Sequence, residues 1–177
     1  MNQVKQLIRT IPDFPKPGIR FRDITPLLGD ADGLGATIRS LASRYRGAVD
    51  KIAAIEARGF IFGAALAHAL GVGFVPIRKP GKLPYTSIGH DYELEYGSGR
   101  IEIHVDGIAR GERVVIVDDL LATGGTASAA VALIERAGAR IVECAFVIDL
   151  TDVGGRARLE QRGYAVYALC AFTEDEV

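Results

Sequence analysis

Apolar and polar positions along the chain change period several times, and each change marks an element. Near the start, Val4, Leu7, Ile8 and Ile11 recur at helical spacing, which predicts a short amphipathic helix over residues 1–11. Pro12, Pro15, Pro17 and Gly18 then impose an extended or turning path as far as Phe21-Arg22-Asp23-Ile24-Thr25-Pro26. A second helix, capped by Asp30 or Asp32, runs to about Arg46 with Leu34, Ile38, Leu41, Ala42 and Tyr45 along its apolar side.

Short β-prone runs alternate with helices from Lys51 onward. Lys51 to Ile55 predicts a strand, Gly59 to Leu70 a helix and Gly73 to Arg78 another strand. Residues from Lys79 to about Glu93 hold Pro80, Gly81, Pro84 and Gly89 and no regular period, and a connection this long is expected to be a lid. Arg100 to Val105 alternates Ile101 and Ile103 with polar neighbours, as a half-exposed strand does. Arg113 to Val117 is nearly all β-branched and apolar, which suits a strand buried on both faces. Gly124 to Ala137 predicts a helix stopped by Gly138, Ile141 to Leu150 a buried strand, Gly154 to Gln161 a short helix and Tyr164 to Cys170 a last strand. Glu174-Asp175-Glu176 is expected to be a loose, solvated tail. Such alternation predicts one α/β domain over residues 1–177, a central and mainly parallel sheet flanked by helices.

Composition narrows the function. Of 177 residues, 49% are apolar and 24% charged, with 21 Lys plus Arg against 22 Asp plus Glu for a formal charge of −1. Without a basic surplus, no general affinity for nucleic acid or an anionic membrane is expected. No apolar run reaches the roughly 18 residues of a membrane span, and the first residues lack an apolar signal core, so a cytoplasmic protein is expected. Cys144 and Cys170 sit in apolar strand-like runs whose spacing suits no zinc site, which predicts buried free thiols. His68, His90 and His104 show no paired spacing and are not expected to be catalytic.

The segment Val114-Val115-Ile116-Val117-Asp118-Asp119-Leu120-Leu121-Ala122-Thr123-Gly124-Gly125-Thr126 carries the candidate chemistry. A buried strand delivers two adjacent carboxylates to its carboxyl end, where ligands bind in open α/β sheets. Gly124 and Gly125 free backbone N–H groups to face one anion, and the following helix adds its positive end. Thr123 and Thr126 supply hydroxyls. Asp118 and Asp119 would repel a phosphate and suit sugar hydroxyls, or a hydroxyl-bound Mg²⁺. A ribose 5-phosphate satisfies both halves. The segment lacks the Gly-Lys-Ser/Thr ending of a Walker A loop and the spacing of a dinucleotide fingerprint. Glu56-Ala57-Arg58-Gly59 likewise follows a strand and opens a helix, so it offers a second anion site, while Arg78, Lys79 and Lys82 cluster beside the expected lid.

Residues 114–126 resemble the phosphoribosyl pyrophosphate motif of the type I phosphoribosyltransferases. Asp13-Phe14-Pro15-Lys16-Pro17-Gly18-Ile19-Arg20-Phe21-Arg22-Asp23-Ile24-Thr25-Pro26, Glu56-Ala57-Arg58-Gly59-Phe60, Arg78-Lys79-Pro80-Gly81-Lys82-Leu83-Pro84 and Leu94-Glu95-Tyr96-Gly97 are similar to the adenine-using branch of that family, in family order. The resemblance implies a three-layer fold with a small N-terminal hood from about residues 1–30 and a flexible lid at about 79–95. It implies transfer of a 5-phosphoribosyl group from phosphoribosyl pyrophosphate to adenine, giving AMP and pyrophosphate in purine salvage. Asp118, Asp119, Ala122, Thr123, Gly124, Gly125 and Thr126 would then hold the ribose phosphate, and Glu56, Ala57, Arg58, Lys79 and Lys82 the pyrophosphate. A cis peptide not involving proline is implied in the second block. Arg20, Phe21, Arg22 and Leu120 would hold adenine, with Phe21 and Leu120 on its two faces. Glu95 and Arg58 would be catalytic, Glu95 assisting proton transfer at N7 of the purine. Mg²⁺ would be held mainly by the substrate, and the protein would be a homodimer. The rivals are a transferase for another purine or orotate, and a regulator that senses phosphoribosyl pyrophosphate.

Overall fold

The most apolar runs of the chain lie side by side in the computed structural model, which describes residues 2–93, 98–173 and 176. In chain order its elements begin with α1 (Asn2–Gln6), β1 (Arg9–Ile11), β2 (Phe21–Asp23), α2 (Thr25–Gly29) and α3 (Ala31–Tyr45). There follow β3 (Lys51–Ile55), α4 (Gly59–Leu70), β4 (Gly73–Ile77), β5 (Ser87–Glu93) and β6 (Ser98–His104). The chain then forms β7 (Arg113–Leu121), α5 (Gly125–Arg136), β8 (Arg140–Leu150), a 3₁₀ turn (Thr151–Val153), α6 (Gly155–Glu160) and β9 (Val166–Phe172).

A five-stranded sheet in the order β4-β3-β7-β8-β9 forms the middle layer, and every neighbouring pair in it is parallel. Its strands are apolar on both faces because both faces are covered. On one side Leu27, Leu41, Tyr45, Phe62 and Leu66 from α2, α3 and α4 pack over Val115 and Val117. On the other, Leu133 of α5 and Ile103 of β6 pack over Ile116 and Phe146. Asp30 caps α3 by accepting from the Gly33 N–H at 2.7 Å, and α4 ends at Gly71, which takes φ +69° as only glycine readily does. Cys144 and Cys170 are buried and unbonded to each other. Among the described residues no helix is long and apolar enough to cross a membrane.

Four expectations are corrected. The first helix stops at Gln6, and Ile11 instead pairs with Phe21 in an antiparallel ribbon of β1 and β2; the ladder to β2 satisfies the backbone there in place of another helical turn. The irregular stretch after Lys79 becomes a strand at Ser87, because residues 87–93 pair with 98–104 in a separate antiparallel hairpin. Its alternation is thin at the sequence level, with only Ile88 and Tyr92 facing the core. β7 continues past Val117 to Leu121, since Asp118, Leu120 and Leu121 keep their pairing with Phe146, Ile148 and Asp149 of β8. Of the acidic end, Glu174 and Asp175 lie outside the described residues, while Glu176 is held: its carboxylate accepts from Lys5 Nζ at 2.8 Å. That contact holds the Glu176 carboxyl below the usual carboxylate range.

Candidate active site

β3 and β7 are neighbours in the sheet, so the connections that leave their carboxyl ends open side by side. After β3 the chain turns through a cis Glu56–Ala57 peptide and enters α4 at Gly59. A Cβ on Gly59 would stand 2.7 Å from Asp118 Oδ1 and 3.0 Å from the Val117 carbonyl. Only a glycine lets α4 approach the end of β7 so closely. Across this contact Arg58 Nε lies 2.8 Å from Asp119 Oδ2, and its guanidinium stands 5.1 Å above the Phe21 ring.

A cleft of about 900 Å³ opens at this edge, lined by Glu56, Ala57, Arg58, Lys79, Asp118, Asp119, Leu120 and Thr126. The β5–β6 hairpin closes its far side with Asp91, Tyr92, Ser98 and Arg100. A smaller cavity of about 110 Å³ lies inside the turn from Leu120 to Ala127, against Phe146. Gly124 enters that turn at φ +76°, Gly125 begins α5, and the Thr126 hydroxyl donates to the Tyr92 hydroxyl at 3.3 Å. The turn has the form of an anion cradle: a glycine turn, a helix start and flanking hydroxyls around a small void.

Charge is distributed unevenly around the cleft. Burial pushes the Asp118 carboxyl well above its ordinary value, and the adjacent Asp119 pushes it further. Asp119 is also raised by burial, against the pull of Arg58. The Asp118 carboxylate accepts from the Asp119 N–H at 2.9 Å. Asp119 Oδ2 has no hydrogen-bond partner among the described residues: Arg58 is close enough for an ion pair, but its N–H does not point along the line of contact. Glu56 lies below the usual range because Arg78 and the Lys79 N–H both donate to it. Among the described residues no group of three or more His, Cys, Asp or Glu could hold a metal by itself. Asp118 and Asp119 do offer hard oxygen donors of the kind Mg²⁺ prefers, one with an unfilled lone pair, so the residues fit an ion whose remaining ligands come from substrate and water.

Residues 28–168 match the phosphoribosyl transferase domain family. The adenine phosphoribosyltransferase of Nitrosospira multiformis is 63% identical over 171 residues, covering 96% of this chain and 98% of that one. The chain belongs to the adenine phosphoribosyltransferases. Among solved structures, the adenine phosphoribosyltransferase of Thermoanaerobacter pseudethanolicus superposes with a TM-score of 0.92 at 52% identity, covering 97% of this chain and 99% of that chain. That of Saccharomyces cerevisiae, complexed with an imino-altritol bisphosphate and adenine, gives 0.90 at 40% identity, covering 96% and 97%.

For an adenine phosphoribosyltransferase the sequence-predicted residues fall into four groups. Asp118, Asp119, Leu120 and Thr126 meet Glu56, Ala57, Arg58 and Lys79 around the large cleft, while Ala122, Thr123, Gly124 and Gly125 line the small cavity beside it. Lys82 is exposed and does not line the cleft among the described residues, although its carbonyl accepts from Arg78 at 3.0 Å. Arg20, Phe21 and Arg22 are not part of the lining either, and Phe21 reaches the cleft only through Arg58. The Arg22 side chain turns the other way: it donates to Thr10, to Thr173 O at 3.1 Å and to Glu176 O at 2.9 Å, above the Phe172 ring. Glu95 lies outside the described residues. Asp91, Tyr92, Ser98 and Arg100 also line the cleft and were not expected there, because the hairpin that carries them has an alternation broken by glycines.

Proposed function

We infer that this chain transfers the 5-phosphoribosyl group of phosphoribosyl pyrophosphate to adenine, giving AMP and pyrophosphate in purine salvage. The observation that carries the reading is the pairing of two helix-opening connections on adjacent parallel strands, with two carboxylates between them. A substrate with phosphate at one end, a diol in the middle and pyrophosphate at the other matches that order.

In the proposed mechanism the turn from Ala122 to Thr126 holds the 5′-phosphate on backbone N–H groups. Asp118 and Asp119 accept from the ribose hydroxyls and favour the positive charge that develops on the ring as the bond from C1′ to pyrophosphate breaks. Ala57, Arg58 and Lys79 stabilise the departing pyrophosphate, and Glu56 holds Arg78 and the Lys79 backbone toward it. Mg²⁺, bound mainly through substrate oxygens beside Asp118 and Asp119, would neutralise part of the pyrophosphate charge. N9 of adenine then bonds to C1′, and the ring proton leaves with help from Glu95 at N7. Phe21 and Leu120 would sandwich the base, with main-chain groups of Arg20 and Arg22 on its polar edge. Residues 1–30 form the hood over that base, and residues 79–95 a lid that excludes water from the reacting centre. The working unit in this reading is a cytoplasmic homodimer.

The test is to incubate pure protein, Mg²⁺ and phosphoribosyl pyrophosphate with adenine, hypoxanthine, guanine, xanthine or orotate and to measure pyrophosphate. Release with adenine alone is expected. Release with another base and none with adenine overturns the specificity, and no release with any base removes the activity.

A further inference from the structure

A loop that cradles an anion turns its N–H groups inward and so sends carbonyl oxygens outward, where they need neighbours of their own. Here the outward side faces α6. The Ala122 carbonyl rests against Gly155, in the space a Cβ on Gly155 would fill, and that Cβ would also stand 2.9 Å from Gly124 N and from Leu121 Cδ1. The approach is mutual, since a Cβ on Gly124 would lie 3.0 Å from the Cα and the carbonyl oxygen of Gly155. The next carbonyl, that of Thr123, accepts from Arg158 Nη1 at 3.4 Å. The same nitrogen is 3.7 Å from the place a Gly125 Cβ would take, at the rim of the cradle.

α6 is itself held from behind. Arg156 Nε donates to Asp149 Oδ2 at 2.7 Å and its Nη1 to the Val166 carbonyl at 2.8 Å. Asp149 is completely buried and sits directly across from Leu121 in the β7–β8 register. The ion pair therefore ties α6 to the strand ends that frame the turn. A side chain at position 155 has nowhere to go except into Ala122 and Gly124, and those residues would move into the small cavity.

We propose that Gly155 is a positioning residue for the 5′-phosphate, with α6 as the rear wall that sets the shape of residues 122–125 and Arg158 as the extension of that wall to the rim. The proposal rests on the reading of residues 122–126 as the phosphate cradle. It concerns residues far along the chain from the motif, and it leaves the base and pyrophosphate sides of the cleft untouched.

The experiment is to titrate ribose 5-phosphate into the wild-type protein, Gly155→Ala, Arg158→Ala and Arg158→Lys, and to measure KM for each substrate. Gly155→Ala is expected to bind ribose 5-phosphate about tenfold or more weakly, the size of one lost hydrogen bond to an anion. Its KM for phosphoribosyl pyrophosphate rises by a similar factor, while KM for adenine stays within about twofold of wild type. Arg158→Ala weakens ribose 5-phosphate by a smaller factor, and Arg158→Lys recovers part of it. Wild-type affinity in a folded Gly155→Ala overturns the proposal, as does a rise shared equally by both KM values. Should Gly155→Ala fail to fold, unchanged affinity in Arg158→Ala overturns it, and a loss recovered by lysine upholds it. If the wild-type protein does not bind ribose 5-phosphate at all, the cradle reading fails and takes the proposal with it; wild-type binding with unaffected variants removes the proposal alone.

Discussion

Arg58 Nε stands 2.8 Å from Asp119 Oδ2, so the connection after β3 and the end of β7 share one ion pair. Asp119 is the more enclosed partner, with its side chain 6% exposed against 40% for Arg58. Burial raises the Asp119 carboxyl, and Arg58 is the largest influence opposing it. Replacing Arg58 by alanine removes that opposition, so the Asp119 carboxyl titrates at higher pH. The acid limb of kcat/KM for phosphoribosyl pyrophosphate is then expected to shift upward in pH. Activity at neutral pH is expected to fall by about a hundredfold to a thousandfold, the loss typical of one electrostatic contact to the transition state. A pH–rate profile of Arg58→Ala whose acid limb does not move would disconnect the pair from catalysis.

Asp118 is expected to reduce the stability of the folded chain. Its carboxyl is raised by burial and by Asp119, so the native state holds its proton where the unfolded state has released it. The native state binds more protons there, and stability falls as pH rises through the folded value. Asp118→Asn keeps an oxygen to accept from the Asp119 N–H and removes the charge. It should melt higher at neutral pH by about 2–4 °C, the shift that roughly 1 kcal/mol gives a chain of this size, while binding phosphoribosyl pyrophosphate less tightly. A variant no more stable than wild type in a thermal melt at pH 7 contradicts this account.

Glu143 behaves in the opposite sense. Burial pushes its carboxyl up, but Arg44 at 2.6 and 2.8 Å and the Tyr45 hydroxyl at 2.6 Å bring it below the usual range. A lowered carboxyl contributes stability that is present above its unfolded value and is lost as pH falls through the folded one. Glu143→Gln should cost about 1–3 kcal/mol at pH 7, as charged hydrogen bonds of this kind do. The gap between wild type and variant should narrow on acidification below about pH 4. Parallel stability curves across that range would rule the contribution out.

If Glu95 assists proton transfer as proposed, binding and turnover are expected to split. Glu95→Gln is expected to lower kcat by about a hundredfold to ten-thousandfold, the range of general acid–base contributions, with the dissociation constant of phosphoribosyl pyrophosphate little changed. Equal damage to both, measured by single-turnover kinetics and direct binding, removes the proton-transfer role.

Elements with a strong period were legible from residue types alone. α4 occupies Gly59–Leu70 as its alanine-rich apolar run predicts, and β3 occupies Lys51–Ile55. Where polar residues interrupt a strand, the period gave the wrong end: Asp118 and Asp119 look like the start of a loop, yet the ladder to β8 continues β7 through them, four residues past Val117 to Leu121. Long-range contacts were invisible. No local pattern announces that Arg22 is buried against Phe172 or that Lys5 meets Glu176, because those contacts depend on the last strand returning beside the first helix. The glycine turn that opens α5 was legible because its glycines answer to backbone geometry, a requirement local to the chain.

The adjacency of β3 and β7 has one more consequence. Neighbouring strands are held about 4.8 Å apart by peptide hydrogen bonds, whatever side chains they carry. The two connections that rise from them therefore inherit a fixed separation, and in the proposed function the sheet serves as the ruler that spaces the two anion-binding turns. If Phe21 packs against the base as proposed, replacement in the N-terminal ribbon would alter which heterocycle is admitted while that ruler stays unchanged.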